Sequence, residues 1–127
     1  RLVDFYPKLR LPQNATWAKN GITFANRTTI HSNPRTLFID AHDHIYTADY
    51  KEGKILVWSL WEEELIRTLH VPLYQYTDIF VGLNGDIFFQ HGDTPGRIDK
   101  WSSFSNHSIT VAKFKDFCFG LFVDRNN

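Results

Sequence analysis

Apolar and polar residues alternate in short blocks along this chain. Thr36-Leu37-Phe38-Ile39 is β-prone and ends at Asp40, and Asp43-His44 forms a turn before Ile45-Tyr46-Thr47-Ala48. Lys51-Glu52-Gly53 turns the chain again, into Ile55-Leu56-Val57-Trp58. Runs this short, rich in aliphatic, β-branched and aromatic residues and closed by Asp, Asn or Gly, predict hairpins rather than helices. The single helical competitor is Leu60–Leu69, whose Leu/Ile spacing around Glu62–Glu64 also suits two to three helical turns.

The pattern then repeats. Leu37-Phe38-Ile39-Asp40 lies over Ile79-Phe80-Val81-Gly82 and over Leu121-Phe122-Val123-Asp124, each at a shift of 42 positions. Asp43-His44-Ile45-Tyr46 falls on Gly85-Asp86-Ile87-Phe88 under the same shift. One inserted loop residue brings Gly53-Lys54-Ile55 onto Gly96-Arg97-Ile98 and Trp58-Ser59 onto Trp101-Ser102. Trp17 with Ile22-Thr23-Phe24-Ala25 resembles Trp101 with Ile109-Thr110-Val111-Ala112, the tail of an earlier unit. Each full unit is therefore predicted to hold four strands: 36–39, 45–48, 55–59 and 65–69, then 78–81, 87–90, 98–102 and 109–112. In this scheme a strand at 65–69 takes precedence over the helix, with the Glu triplet as a solvated loop.

Four short antiparallel strands about every forty residues match one blade of a β-propeller. The expected fold is all-β: two full blades (34–76 and 77–117), the end of a blade at 14–33 and the start of another at 118–127. Residues 1–13, with Pro7 and Pro12, read as a linker or edge segment. Two blades leave apolar faces uncovered, and a six-bladed ring needs on the order of 250 residues, so a longer parent is expected.

Composition changes this picture little. The chain has 127 residues with 14 basic and 14 acidic side chains, so nothing steers it broadly toward nucleic acid or anionic membrane. Eleven Phe, five Tyr and four Trp suit sheets packed face to face. No apolar run is long enough for a membrane-spanning helix. Cys118, the only cysteine, lies between Phe117 and Phe119 and reads as a buried thiol, the alternative being a disulfide to a partner beyond these residues.

On these residues the chain resembles the NHL-repeat propellers. Their unit appears here as Pro34-Arg35-Thr36-Leu37-Phe38-Ile39-Asp40, then Ile45-Tyr46-Thr47-Ala48-Asp49, then Lys54-Ile55-Leu56-Val57-Trp58. A further copy opens at Gly120-Leu121-Phe122-Val123-Asp124. The Trp17–Ala25 pattern is similar to long extracellular members of that family, and the resemblance covers roughly 14–127. The second unit departs from it: Gly82 replaces the first Asp and Gln90-His91 replaces Ala-Asp, which predicts two lost turn braces.

Candidate chemistry is sparse. Asp49 and His91 stand at equivalent strand ends, candidates for a ring of channel-mouth ligands; the competing reading makes them turn residues. Lys54 and Arg97 precede the third strand of each unit, either as a basic rim for an acidic partner or as charged turns paired locally. His42, His44, His70, His91 and His107 lack the spacing of a metal site, and no nucleophile and base pair in a readable motif. Neither a catalytic residue, a metal nor a cofactor is assigned. Three sequons, at Asn14, Asn26 and Asn106, fall in polar connections and would accept glycan in the secretory route.

The expected function is a non-catalytic binding scaffold for protein or glycan partners, working through loops and the central mouth, outside the cell. Two alternatives rest on the family resemblance. One is a metal-assisted lyase or hydrolase whose ligands lie mostly in other blades; the other is an NHL-type RNA-binding module in the cytoplasm.

Overall fold

The computed structural model describes residues 12–26, 28–30, 34, 36–73, 77–91, 96–116 and 120–124. Cys118 and most of the expected linker at 1–13 lie outside them.

The described chain is all-β. Eight strands form two four-stranded antiparallel sheets, each a simple meander in chain order. The first holds β1 (Leu37–Ile39), β2 (His44–Asp49), β3 (Lys54–Ser59) and β4 (Glu64–His70). The second holds β5 (Ile79–Val81), β6 (Ile87–His91), β7 (Arg97–Trp101) and β8 (Ser108–Lys113). Every predicted strand of the two full units is present, with ends shifted by one residue at most. Neither sheet closes on itself.

Leu60–Leu69 is no helix: the chain turns at 60–63 and enters β4 at Glu64. The reason is tertiary. β4 pairs with β3 along its whole length, from Lys54 opposite His70 to Ser59 opposite Glu64, and this ladder outweighs the weak helical spacing. Ile22–Ala25, expected as a strand, forms none. It crosses the face of the first sheet instead, where the Phe24 ring meets Trp58 edge-on at 5.8 Å between centroids.

The sheets stack by one rule. Side chains of β2 and β3 alternate between two faces, and the face bearing Tyr46, Ala48, Ile55 and Val57 packs on the second sheet's Ile79, Val81, Ile87 and Phe89. The second sheet's opposite face, with Phe80, Phe88 and Ile98, in turn carries Leu121 and Val123. Those two residues are the repeat equivalents of Ile79 and Val81, so the same interface is begun a second time. The first sheet's remaining face, with Ile45, Leu56 and Trp58, is covered by Phe24, Ala25 and Ile30. Burying four such side chains on each side of a sheet contributes roughly 1.5–3 kcal/mol per residue before entropy is counted.

The first strands of successive units meet along one edge. Phe38, Phe80 and Phe122 form a ladder of edge-on rings, 5.4 Å and 5.3 Å between centroids. Asp78 clamps the same edge: its carboxylate accepts from Thr36 Oγ1 at 3.0 Å, from the Ile79 N–H at 3.0 Å and from the Leu121 N–H at 3.0 Å. One side chain thus ties three successive repeats. At the opposite edge β4 and β8 each carry a register shift against their neighbour, and such bulges discourage edge-to-edge pairing.

The Phe ladder yields a prediction. Phe80 is buried between two rings, so Phe80→Ala is expected to destabilise the fold by about 3–5 kcal/mol. Phe122 is 74% exposed, and Phe122→Ala should cost a small fraction of that. Urea unfolding of both variants checks the ranking; equal costs would contradict the ladder as a core element.

Candidate functional site

The turns at one end of the sheets concentrate the polar chemistry of the described chain. In the first sheet, Asp40 organises the β1–β2 turn. Its Oδ1 accepts the N–H groups of His42 at 2.8 Å and His44 at 3.0 Å, while Oδ2 accepts the Tyr46 hydroxyl at 3.0 Å and lies 3.0 Å from His44 Nδ1. Burial alone would raise the Asp40 carboxyl, but the His44 and His42 N–H groups and the two side chains outweigh it and hold it below the ordinary carboxylate range. The phenol of Tyr46 is pushed well above its usual value by burial and by the adjacent Asp40 charge. An acid so occupied anchors a turn; it is poorly placed to exchange protons with a substrate.

The second sheet solves the same turn differently. Gly82 lacks the side chain of Asp40, yet the two backbone bonds of the turn are kept: Gly82 N–H to Asp86 O and Gly85 N–H to Gly82 O, both 2.9 Å. Asn84 supplies the missing acceptor, taking the Asp86 N–H on Oδ1 at 3.2 Å. Asp86 then binds Asn84 Nδ2 at 3.0 Å, Lys100 Nζ at 2.9 Å and the Ser103 N–H at 3.3 Å. The expected loss of a brace at Gly82 is therefore corrected: the brace has moved to Asn84 and Asp86. Burial pushes the Asp86 carboxyl up, and the Lys100, Ser103 and Asn84 contacts more than reverse this, leaving it below its ordinary value. Gly85 takes φ of 81°, and its equivalent Asp43 takes 61°, a conformation that costs a non-glycine residue more.

The residues singled out from the sequence lie at the other end. Asp49 and His91 close β2 and β6, and both are buried. The register sets Asp49 opposite Lys54 and His91 opposite Arg97, so each is brought beside a basic residue of its own sheet. The Asp49 carboxylate accepts the Glu52 N–H at 3.3 Å. Lys54 Nζ reaches Glu52 at 3.4 Å, and the Arg97 guanidinium makes two contacts with buried Asp99, at 3.1 Å and 3.4 Å. Asp99 also accepts from Thr110 Oγ1 at 3.0 Å. Gly53 and Gly96 mark this end in both sheets, their carbonyls accepting the N–H groups of Val71 and Phe114 at 2.9 Å.

Asn14, Asn26 and Asn106 are all exposed, outside the strands. The Asn26 Oδ1 accepts the Thr28 N–H at 2.9 Å and the Thr28 hydroxyl at 2.6 Å. Among the described residues no three His, Cys, Asp or Glu side chains converge as metal ligands. No helix among them is long and apolar enough to cross a membrane.

Two features were not singled out from the sequence. One is a cavity of about 490 Å³ between Ile22–Ala25 with Ile30 and the first sheet, lined by Phe24, Ile30, Leu37, Ile45 and Trp58 among others. The other is a pair of exposed aromatics, Trp61 and Phe104, each three residues beyond a repeated tryptophan. That spacing was visible in the repeat, but exposure is a tertiary property.

The braced carboxylates fix a pH dependence. Both Asp40 and Asp86 have folded-state values below the ordinary 3.8, so their stabilisation is complete above that pH and is lost as pH falls through the lower folded value. Asp86→Asn is expected to lower unfolding free energy at neutral pH by about 1–3 kcal/mol and to flatten its fall below about pH 4. Urea unfolding across pH 2–7 measures both effects. An unchanged acid limb would remove Asp86 from this role. No protein-family model matches the chain, and no curated protein matches it.

Proposed function

We propose that this chain is part of a β-propeller of the NHL-repeat type and acts as a non-catalytic binding scaffold for protein or glycan partners outside the cell. The observation that carries the proposal is the repeated face pairing. The face bearing Tyr46 and Ile55 packs on Ile79 and Phe89, and its equivalent bearing Phe88 and Ile98 packs on Leu121 and Val123. A heterologous contact repeated at one sequence period builds either a ring or an open stack, and a ring is the form that covers every face. The cavity beside Ile45 and Trp58 sits on the face whose equivalent in the second sheet is filled by a whole four-stranded neighbour.

The scaffold part of the proposal rests on how the turns use their groups. Asp40, Asp49 and Asp86 direct their oxygens at backbone N–H groups, which stiffens the turns. Large apolar side chains at the turn tips, Leu83 and Phe104 among them, stay in solvent. Stiff turns that display apolar area bind with little ordering cost.

Two measurements test this. A photo-crosslinking residue placed at Leu83 or Phe104, and in parallel at Lys51 or Glu52, should trap a discrete protein or glycoprotein from one end of the stack. Absence of any discrete adduct from both ends would reject the scaffold. Exposed Asn14, Asn26 and Asn106 should carry glycan in the native protein, seen as mass lost on glycosidase treatment and abolished site by site in Asn→Gln variants. Unmodified asparagines at all three would argue for a location inside the cell.

A further inference from the structure

Face-to-face packing accounts for most of the large apolar side chains, but not for the aromatic tips of the third turns. Trp61 and Phe104 occupy equivalent positions in the two units and are 78% and 97% exposed. Trp61 is nevertheless oriented: its Nε1–H donates to Asp43 Oδ2 at 3.1 Å, tying the β3–β4 turn to the β1–β2 turn. A large ring held in place in solvent offers contact area without the usual cost of ordering a side chain. Phe104 has no such tie, since a phenyl ring carries no N–H or O–H to donate.

The surroundings of Trp61 say what it would meet. Glu62 and Glu63 follow it in the turn and Glu64 opens β4, all three exposed. Among the described residues no Lys or Arg lies within ion-pair distance of any of them; Lys54, Arg97 and Lys100 are engaged by Glu52, Asp99 and Asp86 instead. The Trp61 tip thus has an acidic rim, with Asp43 at the indole N–H and Glu62 to Glu64 next in the chain, and none of these carboxylates is ion-paired among the described residues. A cation is attracted to the face of an indole and to such a rim together, whereas an anionic partner is repelled by it.

Resting on the scaffold reading, we propose that the Trp61 tip is a docking site for a Lys- or Arg-bearing segment of a partner protein. The basic side chain lies over the indole, and Glu62, Glu63 and Asp43 flank it. A neutral oligosaccharide would use the ring but would leave the acidic rim uncompensated, so the charge favours the basic segment.

The test titrates the purified protein with a short Arg- and Lys-rich peptide, an acidic peptide of equal length and a neutral oligosaccharide, following tryptophan fluorescence and calorimetry. The basic peptide should bind, and should weaken about tenfold between low and about 0.3 M salt. Trp61→Ala should weaken it at least about fivefold, and the double variant Glu62→Gln, Glu63→Gln should remove most of the salt dependence. The Trp61 ring is exposed and its one hydrogen bond is at the surface, so Trp61→Ala should keep a cooperative thermal transition within a few degrees of the wild type, which separates lost binding from lost folding. Unchanged binding in Trp61→Ala, or equal binding of the acidic peptide or the oligosaccharide, overturns the proposal. If the basic peptide fails while crosslinking at the turn tips still traps a partner, this site falls and the scaffold stands.

Discussion

The inner strands of each four-stranded sheet are buried on both faces, and that constraint governs everything else in the fold. A sheet with one wet face alternates apolar and polar residues along its strands. Here Ile55-Leu56-Val57-Trp58 and Ile87-Phe88-Phe89 are buried throughout, so each strand needs a neighbour on either side. The first sheet supplies one face to the second, and short segments cover the two outer faces. Stability therefore resides between units as much as within them, as in other repeat architectures.

The edge formed by β1 and β5 sets the spacing of this stack. Apolar faces alone would tolerate sliding, since dispersion and burial are not directional. The Phe38–Phe80–Phe122 ladder and the Asp78 carboxylate are directional; the ladder recurs at the repeat length, and Asp78, whose repeat equivalents are Thr36 and Gly120, bonds to the units on either side. Asp78 reaches a side chain of the preceding unit and a backbone N–H of the following one, so its bonds hold only in one register. The turns then inherit a defined place at the ends of the stack.

The two units reach the same turn by different residues. Asp40 braces one and the pair Asn84 and Asp86 braces the other, and Lys100 adds an ion pair that the first unit lacks. Gln90 replaces the small Ala48 and leaves its Oε1 buried without a hydrogen-bond partner among the described residues, a cost of about 1–3 kcal/mol. Such differences lie where one unit meets the next or meets solvent. They are the positions at which copies of one repeat can diverge in binding while the shared ladder and faces persist.

The strand order, the hairpins and the repeat period were legible in the chain alone, because a strand buried on both faces needs an unbroken apolar run and a tight turn needs Asp, Asn or Gly. The alignment of Gly53 with Gly96 reappears as equivalent backbone bonds to Val71 and Phe114. Pairing across space was not legible. Leu60–Leu69 carries helical spacing, and only the ladder to β3 makes it a strand; Ile22–Ala25 carries strand composition, and without a partner strand it forms none. The sites divide the same way. Asp49, His91, Lys54 and Arg97 stood out by residue type, yet burial and register decide what they touch, while Trp61 gains its significance from being left outside. Local sequence selects which conformations are cheap; which side chains are hidden, paired or exposed depends on residues distant in the chain, and only the folded arrangement brings those together.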